Sequence, residues 1–399
     1  MVGVGREAHP RDGSVARPAD GAWSMSRPNQ ALRVALTATS YPRHSGDWQS
    51  VFIERQLAAL SRHRSLSFHF WGPDGPLPKG VDSAATVGDL ALIRSITDAG
   101  GIAHLIRKQR IRGGFAGLRM TLRLNAALRR MDSQVDLFHL NWLQSALALP
   151  GTRRPALITV LGTDFRLLQQ PLVPELLRHA LRGRRVILAP NAGWMVSALQ
   201  HLLGDRWVAV QEIPFGIDPQ WYAIERQPPA APRWITVLRL TRRKIGPYFD
   251  WTREAAERGH EFHLFGPMQE ALTVPDWVRY HGAVDLDSLA SCWYPQSTGM
   301  ITLSQHDEGR PQVLLEAMAS GLPIVASHIE AHRDLFEPFQ SAQLVADRGA
   351  FVASLNELAD RKAGDALGDR ARRHARSVFG TWDDCATRYE QAYHRLVEA

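Results

Sequence analysis

The chain has 399 residues, with 47 Lys and Arg against 40 Asp and Glu, a formal net charge of +7. Its 45% hydrophobic and 22% charged content excludes a disordered chain, a collagen-like repeat or a disulfide scaffold. Two domains of about 100–200 residues each suit this length better than one.

The charge is unevenly spread. Residues 1–200 hold 26 basic and 13 acidic side chains, whereas residues 201–399 hold 21 and 27. A basic half of net +13 beside an acidic half of −6 implies an anionic surface or ligand on the first half, nucleic acid and membrane both being candidates. Cys292 and Cys385 have no metal-ligand spacing, which favours a reducing compartment and no structural zinc. No apolar run approaches the roughly 18 residues that a membrane-spanning helix requires.

The first thirty residues are rich in Gly, Pro, Ser and Arg and lack apolar periodicity, so a disordered tail is expected, and Met25 is an alternative start. Order is expected from a β-rich run at 32–36, followed by a polar loop from Ser40 to Asp47. Val51, Phe52, Gln56, Leu57 and Leu60 then recur at helical spacing. Further strands are expected at 67–70, 137–140, 156–160 and 186–189, with helical stretches between them. The alternation predicts a parallel sheet covered on both faces.

A turn at 213–218 precedes a proline-rich segment, Arg226 to Pro232. Strands at 234–238, 261–265, 298–303 and 323–326 and helices at 247–258 and 311–320 then restart the alternation. The expected organisation is a first α/β domain over 31–218, a stiff linker over 219–232 and a second α/β domain over 233–380. The two α/β domains stand in tandem with a cleft between them.

The most specific stretch runs from Ser304 to Pro323, SQHDEGRPQVLLEAMASGLP. A strand ends near Ser304, Gly309 turns, Pro311 starts a helix without needing an N–H, and Gly321 stops it. Unpaired amides and the macrodipole at that helix start make an anion site suited to phosphate. Glu308 and Glu316 supply two carboxylates able to accept hydrogen bonds from sugar hydroxyls. A second motif lies after the strand 235–238, where Arg239 and Lys244 could neutralise a diphosphate leaving group.

Glu308 and Glu316, followed by Ala317-Met318-Ala319-Ser320-Gly321-Leu322-Pro323, resemble the signature of glycosyltransferase family 4, retaining enzymes of the B-type fold, which implies two tandem Rossmann-like α/β domains facing across a cleft. The resemblance implies that Glu316 binds the ribose hydroxyls of a nucleotide sugar and Glu308 contacts the transferred sugar. It implies that backbone amides around Gly309, Arg310, Gln312 and Val313 face sugar and phosphate oxygens, with one donor fewer at Pro311. Arg239 and Lys244 have the spacing of the family's diphosphate-binding pair, although Ile245 separates Lys244 from Gly246, which leaves Arg243 as a fallback.

Further similarities extend over residues 31–399. Gly46, in the loop that also carries Arg43, resembles the glycine of the first loop, where backbone approaches phosphate or acceptor. Leu161-Gly162-Thr163-Asp164 resembles a loop often reading His-Gly-Ser-Asp; Leu161 replaces the histidine, and Asp164 is left either to an acceptor hydroxyl or to a helix cap. Gly266 and Val284 fall where the family's strand ends approach diphosphate and base. The tail from Thr381, taken as 381–399, resembles the last helix, which in this fold crosses back to the first domain.

Asp285-Leu286-Asp287 has the form of a metal-binding Asp-x-Asp, but it precedes Ser288 and reads better as a helix cap. No histidine pair has ligand spacing on a helix. Metal-independent catalysis without a cofactor is expected.

Between Asp98 and Asp132 there is no acidic residue, while Arg107, Lys108, Arg110, Arg112, Arg119, Arg123, Arg129 and Arg130 alternate with apolar residues. This basic amphipathic pattern suits an anionic membrane surface; a solvated arginine-rich face is the alternative. Nucleic acid is disfavoured, since Phe115 is the one aromatic residue available for stacking there.

The expected function is transfer of a sugar, with retention, from a nucleotide diphosphate sugar to a hydroxyl of a glycan or lipid-linked acceptor. Bacterial surface polysaccharide or glycolipid assembly is the expected setting, in the cytoplasm at the inner face of the cell membrane. A nucleotide-sugar epimerase or glycan phosphorylase on the same architecture, and a basic nucleic-acid-binding protein, are the alternatives.

Overall fold

In a computed structural model the chain forms two parallel sheets, each switching direction once in strand order. Residues 31–44, 47, 50–102, 105, 108–306 and 308–398 are described. The expected tail over 1–30 lies outside them, as do Gly46 and Arg107.

The first sheet uses β1 (Leu32–Thr37), β2 (Leu66–Trp71), β3 (Val81–Ser83), β4 (Leu137–Asn141), β5 (Ala156–Val160), β6 (Val186–Pro190) and β7 (Val208–Val210). Their order is β3-β2-β1-β4-β5-β6-β7, all parallel. Registers such as Val34 opposite both Phe68 and Leu137 bury β4, β5 and β6 on both faces. Full burial is why their sequences read as continuous apolar runs without alternation.

The second sheet uses β8 (Arg233–Val237), β9 (Glu261–Phe265), β10 (Val278–Tyr280), β11 (Gly299–Thr302), β12 (Ile324–Ser327) and β13 (Gln343–Val345), ordered β10-β9-β8-β11-β12-β13. The direction switches fall between β1 and β4 and between β8 and β11, where open α/β sheets bind ligands beyond their strand ends. Four strands escape the sequence reading: β3, β7, β10 and β13. Each is three residues long and sits at a sheet edge, too short for periodicity and too exposed for an apolar run.

The segment 219–232 differs from the expected linker. Pro219–Tyr222 forms a helical turn capped by Asp218, and Trp221 and Ile224 are buried in the core around β8, β11 and β12. Two side chains anchor it further: Arg372 donates to the Ile224 carbonyl at 2.8 Å, and Arg226 to that of Thr298 at 2.8 Å. The prolines thus form a strap on the second half.

The last helix, Trp382–Glu398, packs on the first half. Trp382, Cys385, Tyr389, Tyr393 and Leu396 join Val34, Leu57 and Phe68 in one core cluster. His139 in β4 binds the Tyr393 hydroxyl at 2.6 Å and Thr159 at 2.9 Å. Residues 31–399 form one compact unit.

Candidate active site

The second-half wall is built where backbone comes close to backbone. After β8, Leu238 donates its amide to Phe265 O at 3.0 Å and Leu240 to Pro267 O at 2.9 Å. Gly266 has φ +120, and a Cβ there would overlap the Leu238 carbonyl. Only glycine allows these two strand ends to close side by side. Thr241 caps the short helix Arg242–Ile245, accepting from the Lys244 amide at 3.3 Å.

This turn aims Lys244 into the cleft, where its ammonium pairs with Glu308. Arg243, the alternative cation, instead donates to the Gln305 carbonyl at 3.1 Å. Arg239 is exposed at the rim of the cleft.

The cleft has a volume of about 550 Å³ and is lined from the second half by Arg239, Lys244, Gly266, Val284, Glu308 and residues 309–313. The helix Gln312–Ala319 follows Pro311 and points its first amides toward this space. Its start is fixed by Gln312, whose Nε2 donates to Gly216 O at 2.8 Å. The buried Gln312 Oε1 has no hydrogen-bond partner among the described residues.

Glu316 lies one turn deeper, 7% exposed. Burial pushes its carboxyl up to about 7, with only Arg55 opposing. Burial also pulls the Lys244 ammonium below its ordinary value; Glu308 opposes that effect and Arg239 adds to it. His306, given no role by the sequence, sits with Lys244, Glu308 and His332 around a small chamber of about 60 Å³ behind the cleft, and burial lowers its pKa.

At Arg310 the sequence reading concerned the backbone amide alone, and the side chain has a place of its own. The guanidinium, 6% exposed, bridges Glu212 at 2.8 Å and Asp334 at 2.7 Å and lies over the Phe379 ring. It braces the two halves, so any ligand contact at this position falls to its backbone.

The first-half wall comes from Ser50, Val51, Phe52, Trp142, Leu161, Thr163, Asn191 and Phe215. Ser50 and Trp142 have left-handed backbones, at φ 54 and φ 70. Strain of that kind persists only where surrounding structure imposes it, and here it falls at the start of the helix Val51–Leu60 and directly after β4. Gly162, at φ +88, abuts the Gly309 backbone, bringing the two halves into contact beside Glu308. Leu161 and Thr163 fall in the loop that sequence similarity singled out and Val51 and Phe52 in the expected helix, whereas Ser50, Trp142 and Asn191 carry no local sequence signal.

Asp164 is not on this wall. It is 3% exposed, and its carboxylate accepts from the amides of Leu143 at 2.7 Å and Leu161 at 2.8 Å. Neither an acceptor contact nor a side-chain cap on its own short helix describes it; it ties the β4 and β5 loops together. Arg43 stands apart from the cleft, paired with Asp98 at 2.8 Å beside a cavity of about 440 Å³ that Tyr41 and Arg94 also line. Asp285 accepts from the Ser288 amide at 2.7 Å and hydroxyl at 2.8 Å, the helix cap its spacing suggested.

The basic run lies largely on the helix Arg110–Met131, outside the cleft. Lys108, Arg110, Arg112, Arg119 and Arg129 are exposed. Arg123 and Arg130, with side chains 41% and 47% exposed, also converge on the buried carboxylate of Asp89 at 3.6 and 3.1 Å. Among the described residues no helix is long and apolar enough to cross a membrane.

Residues 249–361 match the family model described as Glycosyl transferases group 1. No curated protein sequence matches the chain. Several solved structures share its architecture at low identity. Sucrose-phosphate synthase from Thermosynechococcus elongatus is 16% identical with a TM-score of 0.66, over 92% of this chain and 99% of that one. A UDP-forming trehalose-phosphate synthase from Burkholderia xenovorans is 13% identical with a TM-score of 0.65, over 93% and 100%. An Anabaena protein solved in complex with UDP and glucose is 13% identical with a TM-score of 0.59, over 91% and 100%. The chain therefore has the two-domain B-type glycosyltransferase fold, and residues 249–361 of its second half match the group 1 glycosyltransferase model.

Proposed function

We propose that the protein transfers a sugar, with retention of anomeric configuration, from a nucleotide diphosphate sugar to a hydroxyl of a glycan or lipid-linked acceptor in bacterial surface polysaccharide or glycolipid assembly. One observation carries the reading. Lys244, Glu308 and the start of the Gln312–Ala319 helix line one wall at the second sheet's direction switch, and the buried Glu316 lies one turn further along that helix. Such a wall suits a diphosphate between a sugar and a ribose. The Anabaena neighbour's UDP and glucose make a uridine diphosphate sugar the first donor to test.

In this reading Glu316 accepts hydrogen bonds from the ribose hydroxyls, and Arg239, Lys244 and the helix amides neutralise the diphosphate. As the bond from C1 to the phosphate oxygen breaks, the acceptor oxygen bonds to C1 from the same face. The acceptor's proton passes to the departing phosphate oxygen. Glu308 pairs with Lys244 and exchanges that contact for the sugar when donor binds. A double displacement through Glu308 is the less favoured variant.

The test is sugar transfer and donor hydrolysis with a radiolabelled nucleotide sugar. Glu316→Ala and Lys244→Ala should each abolish both, and full activity in both variants would remove the assignment. Thermal shifts with uridine, guanosine and adenosine diphosphate sugars identify the donor.

A further inference from the structure

The helix Arg110–Met131 has two apolar faces, of which the fold uses one. Gly113, Met120, Leu124, Ala127, Leu128 and Met131 are buried against the first half's core. On the opposite side Ile111, Phe115, Leu118 and Leu122 are 78%, 69%, 56% and 61% exposed. Their spacing of four, three and four residues keeps them on one line. Arg112 and Arg119 stand about a quarter-turn from that line, and no acidic residue occurs between Asp98 and Asp132.

We propose that this outward stripe seats the protein on an anionic lipid surface, with the four apolar side chains entering the acyl boundary and the arginines meeting the headgroups. An interfacial helix needs that combination of apolar line and basic flank. A second copy of the chain fits less well. Two such helices would oppose like charges, and a stripe about 16 Å long and one side chain wide falls far short of the roughly 800 Å² per partner of a stable interface.

The location gives docking a consequence. Asp98, ending the helix Val87–Asp98, pairs with Arg43 in the loop after β1. Ile102, four residues on, lies within contact distance of Gly117. The first half of the basic helix is therefore at the strand-end side of the first sheet, where the cleft opens. Docking would present that opening to a lipid-borne acceptor; this consequence rests on the proposed sugar transfer, whereas docking itself does not.

The test is flotation of the full-length protein with vesicles of phosphatidylcholine alone or mixed with phosphatidylglycerol, without donor. The wild type should float only with the mixed vesicles. Phe115→Gln, Leu118→Gln and Leu122→Gln together should weaken binding at least about tenfold without changing the melting temperature. Arg112→Gln with Arg119→Gln should weaken it and flatten its salt dependence. A wild type that stays with the lipid-free fraction, or a triple variant that floats equally, overturns the proposal. So does a dimer in light scattering that the triple variant abolishes. Stabilisation by UDP, read in parallel by thermal shift, reports on the donor site alone and separates the failure of docking from the failure of the sugar-transfer reading.

Discussion

Glu316 shows how a buried carboxyl costs stability. Its carboxyl titrates near 4.5 in an unfolded chain and at about 7 in the folded one, because burial disfavours the charge. The folded chain holds the extra proton between those values, so this contribution is fully present below the lower one and is lost as pH rises through the upper. The loss is on the order of 3 kcal/mol well above pH 7. Glu316→Gln should therefore raise the melting temperature at pH 8 and leave it nearly unchanged at pH 4. Equal shifts at both would show that the carboxylate is not held in a low-dielectric environment. The same proton should oppose UDP binding, so wild-type affinity falls between pH 8 and pH 6, and calorimetric titration across that range reads it. Burial pushes the Asp164 carboxyl up as well, but there the amides of Leu143 and Leu161 hydrogen-bond it and oppose the shift. Asp164→Ala should lower stability by about 2–3 kcal/mol in urea unfolding. An acceptor ligand would instead show unchanged stability with a fall in kcat/KM.

At the level of elements, the Gly162 loop meets the Glu308 loop backbone to backbone, and Gly162→Ala should disturb both. A left-handed φ and overlap with Gly309 together should cost more than about 1 kcal/mol. The donor KM should rise as Glu308 and the helix start move apart from Lys244. An unchanged melting temperature with an unchanged KM would show that the loops do not hold each other. The strands and the Gln312–Ala319 helix were legible in the sequence because their signals are local: apolar runs for doubly covered strands, and Pro311 and Gly321 marking the helix ends. Lys244 and Glu308 were legible as site candidates for the same reason, each lying beside such a signal. What the sequence hid is set by tertiary contact. The left-handed backbones of Ser50 and Trp142, the burial of Asp164 and the pairing of Arg123 with Asp89 depend on neighbours distant in the chain. Arg310 is the sharpest instance, since its partner Glu212 is 98 residues away.

Across the whole molecule, the two halves are tied at positions that neither sheet contains. Gln312 holds Gly216, Arg310 spans Glu212 and Asp334, and Arg388 donates to the carbonyls of Pro214 at 3.1 Å and Phe379 at 2.8 Å. The last helix belongs in sequence to the second half and in packing to the first. Removing Tyr389 and Tyr393 from that core would expose the faces of β4 and β5 that His139 and Thr159 line. The first half cannot keep its core once the helix Trp382–Glu398 is pulled away, and the second cannot separate without pulling it. Calorimetry should accordingly show one unfolding transition for 31–399, and two resolved transitions would show that the ties are weak. The two cysteines give a finer reading of the same coupling. Cys292 is exposed, whereas Cys385 is buried in the last helix and its thiol is pushed up to about 12 by that burial. A thiolate reagent at pH 8 should therefore modify one thiol at once and the second only as the last helix opens. Replacing Arg310 with Leu leaves Glu212 and Asp334 without their shared cation, about 2–3 kcal/mol for a partly exposed cluster. If the halves are coupled as described, Arg310→Leu should accelerate modification of Cys385, although Arg310 does not belong to the core cluster that buries that thiol. Unchanged Cys385 kinetics in a variant of lowered melting temperature would mean that the last helix opens independently of the joint between the halves.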